Sequence, residues 1–504
     1  MNNIRRYNII KKWLYPAFTL TLSLIIVQSA TCETKAKNVK LKEKIISLVK
    51  MPDDTKLFGV KVDTPGVRNV AYATRIDDKM TVYLNGRKSR AYDAIAKGTP
   101  IFHPDGKSLA YIVYENKKAY TVINKKKGKV YDGVTDLMFS PDGSKYVYRV
   151  QINKKQAILV NGKTGELFDN IKDLPVFSPD SGRIAYKAIN GKKWYVVINK
   201  KKYGPYDEVK DIVFSPDSKH VTFAVKEEYS WYSVRDFKKG KGYENVAVPV
   251  WSDNSKVLVY AAQERKRYKI VKNGEEQRTY KTVGIPLISP DSVHIAYPAK
   301  KNSKWIMVSD KKEGPKFDQL GPSVFSKKAE LAYVGIKRKK TVMVVNGKKQ
   351  KKYMSIGLPV FSPDGKHLAY RAYDDNKWFV VTDNKEGKRY SSVLVPKFSA
   401  DSARLVYVAG IKDKEFIVVN DKEMAPFERV GSPYFSTKGE HLAYIASVEK
   451  RWALVIDGVV SKKRFDLFFD SAVVTFDTEN KCHVIIRDTK PYTGFFRLET
   501  EILN

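Results

Sequence analysis

Phe361-Ser362-Pro363-Asp364-Gly365-Lys366-His367-Leu368-Ala369-Tyr370 is written many times over in this chain. It returns as Phe139-Ser140-Pro141-Asp142-Gly143, Phe177-Ser178-Pro179-Asp180, Phe214-Ser215-Pro216-Asp217 and Ile288-Ser289-Pro290-Asp291. Weaker copies stand at Phe102, Trp251, Phe325, Phe398, Phe435 and Phe476. From Phe102 to Phe435 the copies step by 36 to 38 residues. A fixed period of that length marks stacked supersecondary units rather than one irregular domain.

Each repeat carries four landmarks with local physical reasons. An aromatic ends a short apolar strand, often after proline, as in Gly357-Leu358-Pro359-Val360-Phe361, where no ladder donor is lost. Ser-Pro-Asp-Gly then turns the chain: Pro presets φ, Asp bonds back to the backbone, and Gly accepts positive φ. A second strand follows with a small residue beside a large one, Ala369-Tyr370, as at Ala185-Tyr186, Ala296-Tyr297, Ala332-Tyr333 and Ala443-Tyr444. A third strand such as Trp378-Phe379-Val380-Val381 ends at Asn or Asp, from Asn85 to Asp457, and five of these residues precede Gly, a strong hairpin signal. A fourth strand carries an aromatic, commonly followed by an acid, as in Tyr92-Asp93 and Phe465-Asp466. Four strands of ~5 residues and four turns of ~4 fill the period and leave no room for a helix.

This pattern predicts an all-β chain, a β-propeller of about twelve four-stranded blades of ~37 residues. Because propellers usually have four to eight blades, two tandem rings are expected, at 57–282 (repeats 1–6) and 283–504 (repeats 7–12). The broken copy at Trp251 is another possible seam. The first repeat is degenerate, with Thr64-Pro65-Gly66 in the turn. The last has three strands, around Val473–Phe476, His483–Arg487 and Phe495–Ile502, so a segment within Lys42–Val62 is expected to supply the fourth.

Composition places the chain outside the cell interior. Arg5, Arg6, Lys11 and Lys12 precede an apolar run, Trp13 to Val27, followed by Ser29, Ala30 and Thr31, the layout of a signal peptide over 1–30. Residues 31–56 read as a Lys-rich linker or closing strand. A periplasmic or extracellular protein is expected, with association to the membrane as the second option. Lipidation at Cys32 is not expected, since Ser29 and Thr31 fit a lipobox poorly. Cys32 and Cys482 are the two cysteines; they could pair, but a buried Cys482 is the simpler reading. The 92 Lys and Arg against 55 Asp and Glu give +37, which solvates the surface and draws the chain to polyanions. Export argues against nucleic acid as the partner, leaving an envelope protein or an anionic polysaccharide or lipid surface, bound by a monomer.

Phe-Ser-Pro-Asp-Gly-Lys-x-Leu-Ala-Tyr resembles the WD40-like propeller repeat of TolB-type periplasmic proteins, found also in propeller domains of some serine peptidases. The resemblance covers about 57–504 and implies an exported propeller that binds macromolecules or works in the cell envelope. The separate N-terminal α/β domain of TolB has no counterpart here, because residues 33–56 are too short for it.

Candidate sites follow from where the copies differ. No Gly-x-Ser-x-Gly elbow occurs, so the Ser-Pro-Asp serines read as turn formers and the chain as non-catalytic. A propeller-channel enzyme acting on a glycan or peptide is the alternative, since such sites need no linear motif. His220, His294, His367 and His441 share one slot and read as solvent-facing residues at blade edges. Asp136, Asp173 and Asp211 precede three consecutive anchors; converging, they could hold Ca²⁺, the one cofactor considered. Trp194, Trp231, Trp305, Trp378 and Trp452 start third strands beside basic turns, and Trp305 and Trp378 are candidate ligand contacts. The densest cations of the second half, Lys337, Arg338, Lys339, Lys340, Lys348, Lys349, Lys351 and Lys352, flank one third strand and form the candidate binding patch.

Overall fold

A computed structural model describes residues 39–50, 57–62, 69–468, 474–488 and 494–503. The stretch 1–30 read as a signal peptide, Cys32 and the first, degenerate turn lie outside them. The described chain is all-β: twelve antiparallel sheets follow one another, each ordered first to fourth strand. Numbered along the chain, blades 1 to 11 begin at residues 57, 94, 133, 170, 208, 245, 282, 319, 355, 392 and 434. The twelfth combines strands from 467 to 503 with Lys40–Lys50.

The second and third strands form the constant hairpin of each blade, as in Leu368–Asp374 paired with Lys377–Thr382. The first strand is interrupted where proline removes a donor: Ser355–Ile356 and Val360–Phe361 both pair with Leu368–Asp374, on either side of Gly357-Leu358-Pro359. Alternation along the second strand then joins blades. Tyr370 packs into an apolar cluster with blade 8 residues Ala332, Val334 and Met343, while Ala369 faces blade 10 with Leu405, Tyr407 and Val418. The small residue leaves room for the neighbour's large one, and each buried aromatic contributes roughly 1.5–3 kcal/mol. One such cluster bridges every consecutive pair of blades. Val257, Ile270, Tyr280, Tyr297, Ala299 and Ile306 pack continuously across 282/283, so no gap in packing marks that position.

Two hydrogen-bond systems explain the constancy of the turns. Within a blade, Ser362 Oγ donates to Asp364 Oδ1 at 2.6 Å and accepts His367 N–H at 3.0 Å. Between blades, Asp364 N–H donates to Ser402 Oγ of the next turn at 2.9 Å, and Asp142, Asp180 and Asp217 bond Ser181, Ser218 and Ser255 alike. Those serines occupy the glycine position at positive φ, 61° to 65°. The Asn or Asp ending the third strand does more than accept positive φ: its Oδ1 accepts the N–H that starts the second strand, as Asn346 does from Leu331 at 2.9 Å.

Lys40–Lys50 lies within the segment read as linker or closing strand. It pairs antiparallel with Gly494–Leu503, from Lys40↔Leu503 to Lys50↔Gly494. Val39 and Leu41 join the apolar cluster of blades 11 and 12. Residues 57–62, which the sequence reading had also offered for this edge, instead form the first strand of blade 1.

Candidate functional site

The fourth strand is where the blades stop being alike. It has six residues in blades 1, 4, 5 and 8: Arg87–Tyr92, Lys201–Tyr206, Lys238–Tyr243 and Lys348–Tyr353. In blades 2, 3, 6, 7, 9, 10 and 11 the continuous ladder covers two residues, as in Lys385–Glu386, and the segment pairs again only at its aromatic, as in Trp378↔Tyr390. Where a blade with the continuous ladder adjoins one with the interrupted ladder, the fourth segments differ in pairing, and that junction is called a step below.

At the step between blades 8 and 9, a groove of about 610 Å³ is lined by Lys348, Lys349, Gln350, Lys351, Tyr353, Tyr370, Val345, Asn346 and Asn384. Its floor is fixed. The Tyr353 hydroxyl donates to Glu386 Oε1 at 3.0 Å, Lys351 Nζ meets the same oxygen at 2.5 Å, and the Tyr370 hydroxyl donates to Gln350 at 3.0 Å. The Lys351 bond holds the Glu386 carboxyl below its usual range, so this clasp stays ionised. Burial, then the bond to Glu386, pushes the Tyr353 phenol up, which keeps it neutral. Lys349 Nζ lies 5.5 Å from the centroid of the Phe317 ring. Lys348 and Lys349 of the lining have no acidic partner among the described residues, and Lys352, also without one, lies outside the lining.

The predicted basic patch is therefore split. Lys337 and Lys340 close the turn between the second and third strands, while Lys348 opens the fourth at the far end of Lys340–Val345. Six residues at ~3.3 Å each separate the two ends, so Lys337, Arg338, Lys339 and Lys340 do not reach the groove. Arg338 N–H donates to Asp318 at 2.9 Å and Lys340 pairs with Asp374 at 3.6 Å. Trp305 and Trp378 also start third strands, away from the groove; Lys300 and Arg371 cover their rings at 5.7 and 4.8 Å.

A second groove, of about 940 Å³, lies at the step between blades 1 and 2. Arg87, Lys88, Arg90, Lys107, Lys125 and Lys127 line it over a floor that includes Tyr92, Tyr111 and Tyr120. Sequence reasoning passed over its fourth strand, because Arg87-Lys88-Ser89-Arg90 is less dense than 348–352. At the step between blades 5 and 6, Lys241, Glu276, Lys269 and Glu264 instead form an ion-pair network.

The three aspartates do lie along neighbouring first strands, but cations stand between them. Arg149 contacts Asp136 Oδ2 at 2.5 Å and donates to Ile171 O at 2.7 Å. Buried Lys187 contacts Asp173 at 2.5 Å and Asp211 at 3.2 Å. Asp136, Asp173 and Asp211 thus build an alternating acid–base ladder across blades 3 to 5. Among the described residues no group of three His, Cys, Asp or Glu side chains is arranged to hold a metal ion.

The four histidines do not simply face solvent. Each Nδ1 meets an aspartate of its own blade: His220 with Asp236 at 2.6 Å, His294 with Asp310 at 2.5 Å, His367 with Asp383 at 2.7 Å and His441 with Asp457 at 2.6 Å. His220 stacks on Trp251 and His367 on Phe398, the anchors of the following blades. Arg183 and Arg404 cover Phe214 and Phe435 from the same slot at 4.8 and 4.9 Å. The signal was present in the sequence: these four blades are the ones that pair a histidine with Asp rather than Asn at the third-strand end. Cys482 is buried and free, and burial pushes its thiol up to about 12.

No protein-family model matches the chain, and no curated protein matches it. Among solved structures it is similar to TolB from Acinetobacter baumannii, at 13% identity over 56% of this chain and 79% of that one, TM-score 0.20. Virginiamycin B lyase from Staphylococcus aureus matches at 12% identity over 51% and 94%, TM-score 0.25. The tricorn protease matches at 12% over 85% and 60%, TM-score 0.25. At these values the likeness goes no further than a repeated, propeller-like fold.

Proposed function

We propose that this chain is an exported, non-catalytic β-propeller scaffold of TolB-like repeat type that binds an anionic glycan or lipid surface of the cell envelope. The observation that carries the reading is the groove between blades 8 and 9. Its lining contains lysines, neutral polar groups and no acidic residue, and the Glu386 carboxylate beside it is engaged by Lys351 and Tyr353. A step lined in this way attracts anionic polymer segments and gives them lysine donors to bind. The second groove, between blades 1 and 2, repeats the arrangement with arginine and lysine. Catalysis finds less support, since each His–Asp pair sits on its own blade and two of the imidazoles are stacked on the next blade's anchor.

Retention on immobilised heparin, lipopolysaccharide and anionic liposomes across a salt series tests the reading. Binding through several lysines weakens steeply as salt rises. The K348Q/K349Q variant removes two cations without touching the Lys351 clasp, so the log–log salt slope should fall by about 1 to 2. No retention at low salt would end the polyanion reading and leave a protein partner in its place.

A further inference from the structure

The residue just after the third-strand Asn or Asp has positive φ in ten of the eleven repeats, as Gly86, Gly162, Gly274, Gly347 and Gly458 in five and as Lys125, Lys311, Asn384 and Asp421 in four. Blade 5 places Phe237 there, at φ 69°. A bulky L-residue in that region is strained, because its Cβ crowds the backbone. The ring leaves the turn and lies on Tyr203 of blade 4, with centroids 4.0 Å apart and planes 11° from parallel. Tyr203 packs against the apolar cluster shared by blades 4 and 5, so the pair is anchored below, yet Phe237 stays 44% exposed. Lys201 Nζ stands 5.3 Å from the Tyr203 centroid. Lys200, Lys201 and Lys238 are exposed and have no acidic partner among the described residues. Both blades here carry the long, cationic fourth strand.

We propose that the Tyr203–Phe237 stack is a platform for one sugar ring of an anionic polysaccharide. The open aromatic face takes the apolar C–H face of a pyranose, and Lys200, Lys201 and Lys238 take the carboxylate or sulfate at its edge. One open face suits one ring, whereas single-stranded nucleic acid is held by aromatics on which successive bases stack. Lysine also lacks the planar fork with which arginine reads phosphate. The assignment rests on the scaffold reading above and narrows its ligand to a glycan.

Phe237→Gly installs the residue that five sibling turns use, so it removes the platform while relieving the backbone. Wild type and variant are compared, at one ionic strength, for binding to polygalacturonate, to linear polyphosphate as a charge-only probe, and to oligo-dT as a stacking phosphate polymer. The expected result is a loss of roughly ten-fold for polygalacturonate, less than two-fold for polyphosphate, and a melting temperature equal to or above wild type. Phe237→Leu, which keeps apolar cover without a ring, should reproduce the binding loss and serves if the glycine variant folds poorly. A change of two-fold or less for polygalacturonate in both variants overturns the platform while leaving the scaffold reading intact. An equal loss for oligo-dT overturns the sugar assignment, and a wild type that binds none of the three overturns both.

Discussion

Replacing Glu479 by Gln should loosen the last blade measurably, because this side chain repairs a broken turn. In blade 9 the turn's own Asp364 holds Ser362, but the copy in blade 11, Phe435-Ser436-Thr437-Lys438-Gly439, contains no aspartate. Glu479 reaches across from blade 12 in its place. It accepts hydrogen bonds from Ser436 Oγ, from Thr437 Oγ1 at 2.9 Å, from Lys438 N–H at 2.7 Å and from Glu440 N–H at 3.1 Å. Burial works against its charge, but these four donors outweigh it and hold the carboxyl at about 2, against an ordinary 4.5. The folded value is depressed, so the stabilisation is fully present above pH 4.5 and is lost as pH falls towards about 2. The whole shift would correspond to roughly 3 kcal/mol; discounted for partial exposure, about 1–2 kcal/mol remains. Glutamine puts an N–H₂ against N–H donors and should forfeit that amount at pH 7. Buried Cys482 gives the assay. It reacts with a maleimide when blade 12 opens, and peptide mapping separates it from Cys32. A loss of about 1–2 kcal/mol raises the open population and the labelling rate about 5- to 30-fold. Urea melts of the variant should also lose part of the wild-type acid sensitivity between pH 4.5 and 2. Labelling within two-fold of wild type, with an unchanged acid profile, would refute the idea that Glu479 substitutes for the missing aspartate.

Deleting residues 39–50 should lower the melting temperature and speed hydrogen exchange in Gly494–Leu503, which loses its antiparallel partner along nearly its whole length; an unchanged melt would show that the strand adds nothing to blade 12. The exposed edge should also promote self-association, visible as a higher-mass species in size-exclusion chromatography. In the acid–base ladder the expected costs are asymmetric, because the Lys187 side chain is 9% exposed while Asp173 and Asp211 are 54% and 63% exposed. Lys187→Met leaves two carboxylates free to hydrate and should cost below about 1 kcal/mol, whereas the D173N/D211N pair strands a buried ammonium and should cost about 3 kcal/mol in urea melts. Equal costs would contradict this account of the ladder.

The repeating unit was legible because its causes are local. Proline in Ser-Pro-Asp, positive φ at Asn-Gly, and Ala beside Tyr each follow from one residue's chemistry, and the period adds them into blades. What crossed between blades was harder to read. Ser402 looks like an imperfect glycine until its hydroxyl is seen to receive the Asp364 N–H, and His367 looks idle until Asp383 and Phe398 are placed around it. Arg149 and Lys187 lie on second strands, 13 and 14 residues from Asp136 and Asp173, so nothing in the local sequence announced that the acids were already paired. The basic patch was half legible: 348–351 lines a groove, but Lys352 does not, and 337–340 lies at the other end of the third strand. A strand that is short in sequence still holds its two ends apart in space.

Why the fourth strand differs most from blade to blade follows from the packing. The first three strands of each blade are bound by neighbours: Ala and Tyr face adjoining blades, the turn serines bond across, and the third-strand Asn or Asp holds the start of the second strand. The fourth strand ends the sheet and keeps one free edge, so its side chains can vary at little cost to the scaffold. Part of that freedom is used for clasps, in which Tyr243, Tyr280 and Tyr353 each donate to a glutamate 33 residues on, Glu276, Glu313 and Glu386, with Lys241, Arg278 and Lys351 beside them. Each clasp consumes an acid and a base together and leaves the net charge unchanged. Cations outside such clasps stand on continuous and interrupted fourth strands alike, Lys348 and Lys349 in blade 8 and Lys126 and Lys127 in blade 2. Lysine is spread over nearly every turn, so what sets 348–351 and 87–90 apart is not their number of cations but the grooves beside them.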